Sequence, residues 1–162
     1  MDLKILISNP VLNSCIISWF FAQGIKTIIN IFVNKKFDKK KLTSAGGMPS
    51  SHSAVVCSVL LTSLFQYGYA SFEFAIAFVL ALIVMYDATG VRWAAGLHAK
   101  SINNLVEYLS KSDHEEQELD EIIPKLNESL GHRVIEVICG AGLGISISVI
   151  IQLVNHGSLS FI

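Results

Sequence analysis

Residues 75–85 read AIAFVLALIVM, an unbroken apolar run, and the chain then meets Asp87 and Arg92 within a few residues. The run lies in an apolar window of about Phe74 to Val91, close to the roughly 20 residues that a membrane-crossing helix needs. Three more windows resemble it. One runs from about Val11 to Val33 with Lys26 as its single full charge, and one from about His52 to Tyr69 has no Asp, Glu, Lys or Arg. The last, about Val134 to Val154, is apolar except for Glu136 near its start and Gln152 near its end. Buried helices of a soluble core are the alternative, but such a core rarely supplies several such windows in so short a chain.

Composition decides between these. Of 162 residues, 52% are apolar and only 15% charged, with a mean hydropathy of +0.54. A soluble domain carries about a quarter charged residues. The formal net charge of -1 excludes a nucleic-acid binder held by a broad basic face, and the apolar fraction excludes disorder. The length suits one domain. We therefore expect an all-α fold, a polytopic membrane helix bundle with about four transmembrane helices, spanning about 11–33, 52–69, 74–91 and 134–154. A polar insertion of about 99–130 would separate the last two. Leu105, Leu109 and the acidic stretch from Asp113 to Glu121 suggest one or two short amphipathic helices there, broken near Pro124.

Basic residues set the expected orientation. Lys35, Lys36, Lys39, Lys40 and Lys41 follow the first window, and Lys100, Lys111 and Lys125 lie between the third and fourth. The connection around Gly68 to Glu73 has neither Lys nor Arg. The positive-inside rule puts the first and third connections in the cytoplasm and both termini outside. The start, Met1-Asp2-Leu3-Lys4, lacks a strong basic region and a cleavage pattern, so the first span is expected to be retained. Cys15, Cys57 and Cys139 all fall inside spans and read as small buried side chains, neither disulfides nor metal ligands.

Ionisable groups at membrane depth are costly and usually face a protein interior or a wet cavity. Three clusters at span ends carry them: KLTSAGGMPSSHS at 41–53, YDATGVRWAAGLH at 86–98, and GHRVIEVICGAGLG at 131–144. In the four-span topology all three lie at the cytoplasmic face. Nothing in their spacing requires that agreement, so it argues for one composite site. In the first cluster, Ser50 or Ser51 can cap the second span, whose free amides make an anion site beside His52. A plain helix cap with an interfacial His reads equally well. In the third, His132 and Glu136 share a helix face, and the carboxylate can fix the imidazole tautomer. Gly140 and Gly144 continue that spacing and let another helix approach. A His paired with Glu merely for solvation is the plainer reading. In the second, Arg92 offers a planar fork to phosphate oxygens with Asp87 as its ion-pair partner, or it is a snorkelling Arg.

Together these clusters resemble the divergent branch of the type 2 phosphatidate phosphatase and vanadium haloperoxidase superfamily. The usual pattern there is K-x6-R-P, then P-S-G-H, then S-R-x5-H-x3-D. Pro49-Ser50-Ser51-His52 resembles the second part with Ser51 in place of Gly, and Lys41 stands at the first part's spacing, with Met48 in place of Arg. His132-x3-Glu136 resembles the His-x3-Asp end of the third part, with Glu136 in place of Asp. Arg92-x5-His98 also has the family spacing, but Ile102 stands where Asp should follow. A split motif, Arg92 before the insertion and His132 after it, is favoured; His98 is the alternative nucleophile.

The resemblance implies metal-independent phosphoryl transfer with no cofactor. His132 would attack phosphorus and form a phosphohistidine, oriented by Glu136, while His52 protonates the leaving oxygen. Lys41, Arg92 and the amides near Ser50 and Ser51 would hold the phosphoryl oxygens; Asp87, Gly140 and Gly144 would be structural supports. The substrate would be a lipid phosphate or diphosphate. The family's usual core has six helices, so either a partner chain, as in a homo-oligomer, completes the site or four helices form a reduced version. The alternative is a catalytically inactive membrane protein that binds anionic lipid headgroups or scaffolds partners. A transporter or channel is disfavoured, since Lys26 is the one charge in the middle of a span and no inverted repeat shows.

Overall fold

A computed structural model describes residues 9–34, 47–112 and 124–155, and their regular structure is entirely helical. Lys41 and the acidic stretch from Asp113 to Glu121 lie outside these residues. The first helix, α1, runs Pro10–Asn34. Proline suits the first helical position, and the Asn9 side-chain oxygen accepts the Val11 and Leu12 amides at 3.0 and 3.2 Å. The second, α2 (Ser51–Tyr67), is capped by Ser50, whose hydroxyl accepts from the Ser53 amide, and it ends at Gly68 with φ 81°. Ser71 caps α3 (Phe72–Thr89) by accepting from the Phe74 amide at 3.1 Å.

Gly90 interrupts the next stretch. Its amide closes the last turn of α3 onto the Tyr86 carbonyl at 2.8 Å, and α4 (Val91–Ser112) starts at once. The polar connection expected from Ala99 thus begins as one long helix at Val91, and Arg92 opens that helix. The alternation of apolar and polar residues in Val91–Ser112 is too amphipathic for a buried helix but suits one lying along a bundle. The last helix, α5, runs Val134–Asn155. Three stretches are long and apolar enough to cross a membrane: Pro10–Val33, Phe72–Leu109 (α3 and α4 together) and Val134–Asn155. At 17 residues, α2 is shorter, and it is the central helix, packed against α1, α3 and α5.

The packing is inverted relative to a soluble protein. Large apolar side chains such as Phe20, Phe32, Phe72 and Ile83 point outward, while the buried face of α1 is Ser14, Ser18, Ala22 and Lys26, every fourth residue. In a bilayer, large apolar groups gain little from burial, and small residues at interfaces let helices approach closely. The α2–α5 seam shows this best. These two helices run parallel, with Ser50, Ala54, Ser58 and Thr62 facing Glu136, Gly140, Gly144 and Ser148. A Cβ on Gly140 would overlap the Ser50 carbonyl oxygen, and one on Gly144 that of Ala54. Around α2, α5 also touches α1 and α3, but α1 and α3 do not touch each other.

Candidate active site

The site forms where the starts of α2 and α5 meet the α3–α4 break. Gly131 makes the meeting possible. Its φ of 77° favours glycine, and any Cβ there would collide with the Arg92–Trp93 backbone. Gly96 on α4 leaves space in the same way for the Glu128 and Leu130 carbonyls. The Asn103 side chain ties the same connector down, donating to the Leu126 carbonyl and accepting the Leu126 amide, each at 3.0 Å. The His132 amide then donates to the Ala88 carbonyl at 2.9 Å. Residues 44 apart in sequence are thereby locked side by side.

His132 is 3% exposed, and its Nδ1 lies 2.9 Å from Glu136 Oε2. An ionised carboxylate has no proton to give, so Nδ1–H donates and Nε2 of the neutral ring carries the lone pair. That Nε2 is buried and has no hydrogen-bond partner among the described residues. Glu136 is itself fixed by the Arg133 Nε at 3.2 Å and the Arg133 amide at 3.3 Å. A cavity of about 80 Å³ is lined by His132, His52, Arg92, Asp87, Ala88, Gly131 and Val84. A single water needs roughly 10–15 Å³ on the same measure, so the space suits a larger polar group. Arg92 enters it paired through Nε to Asp87 Oδ2, which orients the fork.

The structure therefore brings His52, His132, Arg92 and Asp87 to one cavity, with Glu136 behind His132. Other candidates lie elsewhere. Ser50 is fully buried; its hydroxyl caps α2 and accepts from the Ser53 hydroxyl at 3.0 Å, and its amide donates to the Glu136 carbonyl at 3.0 Å. Its amide is thereby taken, and Ser50 does not line the cavity. Ser51 borders a neighbouring apolar groove. His98 is exposed on α4 and does not line the cavity, because Gly96 and Ala99 give α4 its buried face. Gly140 and Gly144 belong to the α2–α5 seam.

Sequence reasoning passed over Lys26 as part of a site. It is 5% exposed, packs its methylenes against Gly47, and shares a larger cavity of about 380 Å³ with Met48, Gly131, Arg133 and Glu136. Since α1 extends well beyond the start of α2, Lys26 sits level with the site. The signal was present: it is the one full charge in its own apolar window, on the same face as Ser14, Ser18 and Ala22.

Residues 7–147 match the divergent PAP2 family. The chain is also 38% identical over 151 residues to the uncharacterized membrane protein YuiD of Bacillus subtilis (strain 168), covering 90% of this chain and 96% of that relative. No solved structure matches it.

Proposed function

The chain belongs to the divergent PAP2 family, and from that premise we propose that this membrane protein is a phosphatase acting on a lipid phosphate or diphosphate at the cytoplasmic face. The observation that carries the reading is the buried, unpartnered Nε2 of a carboxylate-bound His132, in a cavity shared with His52 and Arg92. An unpaired buried nitrogen costs about 1–3 kcal/mol, which a structural histidine would avoid by finding a partner.

In the proposed cycle, His132 Nε2 attacks phosphorus in line, and the N–P bond forms as the bond to the leaving oxygen breaks. Glu136 holds the ring and stabilises its positive charge, much as a carboxylate steadies an imidazolium during acyl transfer. His52 delivers its proton to the leaving oxygen. Arg92 and the positive end of the α2 dipole balance the phosphoryl oxygens, where charge stabilisation matters most. Lys41 is proposed as a further phosphate ligand. Ser50 contributes by capping the turn that carries His52. Water then attacks the phosphohistidine with His52 as base, and inorganic phosphate leaves. Arg133 holds Glu136 through its Nε and its backbone amide, and Lys26 lines the cavity on the other side of that carboxylate.

Purified protein should release phosphate from a panel of lipid phosphates without added metal, and vanadate should inhibit the release. Met48 in place of the family Arg favours the second reading, a headgroup binder without turnover. Retained affinity for lipid phosphates with no phosphate release across the panel would establish that reading instead.

A further inference from the structure

Beside the polar cavity lies an apolar groove of about 430 Å³, walled by Cys15, Ile16, Trp19 and Phe20 of α1 and by Val84 of α3. Its floor is Val55 and Val56 of α2, and His52 and Ser51 close one end. Because α1 and α3 each pack on α2 but not on one another, the groove opens sideways between them. In a membrane that opening faces lipid and not water. His52 and Val84 line both spaces, whereas His132 lines only the polar one.

We infer that this groove holds the hydrocarbon chain of the phosphorylated lipid, which enters sideways from the bilayer between α1 and α3. The inference rests on the phosphatase reading for its substrate and deepens it. An in-line displacement needs nucleophile and leaving group on opposite sides of phosphorus. With His132 on one side of the cavity, the oxygen that bears the chain must lie toward His52. The apolar groove begins at that ring. The bond that breaks joins phosphorus to the chain's oxygen, His52 supplies the proton to that oxygen, and the freed alcohol remains in the groove, able to leave sideways. The groove's walls are apolar, so it selects by chain length and offers nothing to a water-soluble phosphate ester.

The half-buried Cys15 reports on occupancy without requiring turnover. Maleimide labelling of the wild-type protein in detergent, read by peptide mass spectrometry, should slow at Cys15 in dodecyl phosphate while Cys139 is unaffected. The slowing should reach about tenfold at ten times the dissociation constant. Inorganic phosphate at equal concentration should not protect, and dodecanol, which lacks the phosphate held at the polar end, should protect more weakly than dodecyl phosphate. Unchanged Cys15 labelling in dodecyl phosphate, or equal protection by dodecanol, overturns the inference. Val55→Trp, which fills the floor, should raise KM for dodecyl phosphate and leave phenyl phosphate hydrolysis as in wild type; equal effects on both esters would also overturn it. If Cys15 is protected while no substrate turns over, the chain site stands and the phosphatase reading fails.

Discussion

At the far end of the α2–α5 seam, Thr62 donates to Ser148 at 3.0 Å, Ser148 to the Ser58 carbonyl at 2.8 Å, and Gln66 to Gln152 at 3.4 Å. At the near end the same four-residue stripe carries His132 and Glu136, and there Nε2 of His132 is left without a partner. Both ends bury polar atoms between small residues. One end closes its hydrogen bonds on itself and serves as glue; the other stops one bond short, at the wall of a cavity that also holds His52 and Arg92. Spacing on a helix is therefore a poor guide to chemistry. What sets His132 apart on this stripe is an unpartnered ring nitrogen at a cavity shared with His52 and Arg92.

Mutations can break that comparison at either end. The largest effect is expected from His132→Ala, which should lower phosphate release by roughly 10³-fold or more, as removal of a nucleophile does. His98→Ala should stay near wild type in the same assay; the reverse pattern would reassign the nucleophile. Next, His52→Ala should cost roughly 10²–10⁴-fold on an alkyl phosphate, as loss of general acid–base catalysis does. The loss should be smaller on a nitrophenyl ester, whose leaving group needs no proton, and an equal loss on both would deny His52 that role.

Changes in the seam itself should act on stability. Gly144→Ala pushes a Cβ into the Ala54 carbonyl and should destabilise by about 1–3 kcal/mol, read as a lower unfolding midpoint in detergent. The smallest effect belongs to the satisfied end. Thr62→Val removes one interhelical hydrogen bond, worth about 0.6 kcal/mol in a membrane, and should leave turnover unchanged. Activity lost with Thr62→Val would mean that the two ends are not separable.

Much of this fold was legible because the bilayer demands long apolar windows, and each of the four windows holds a helix. Gly140 and Gly144 announced a close helix contact, although only the structure names α2 as the partner. The pairing of His132 with Glu136 followed from helical spacing, and that of Arg92 with Asp87 from nearness in sequence, across the Gly90 break. Two features were hidden for physical reasons. The amphipathic helix expected within the polar connection forms but starts earlier, at Val91, because Gly90 ends α3 there and the apolar residues after it read as the end of the third span. Lys26 was read as an isolated charge inside a span because helix overhang is not written in composition; the extra length of α1 beyond the start of α2 brings it level with Glu136. Ser50 resembles a phosphate ligand in sequence; in the fold its amide is bonded to the Glu136 carbonyl and its side chain does not line the cavity.

The most direct test is to trap the intermediate. Purified protein given a radiolabelled lipid phosphate and quenched in alkali should retain label that is lost in acid, and peptide mapping should place it on His132. Turnover without any such label, or label on His98, would contradict the account.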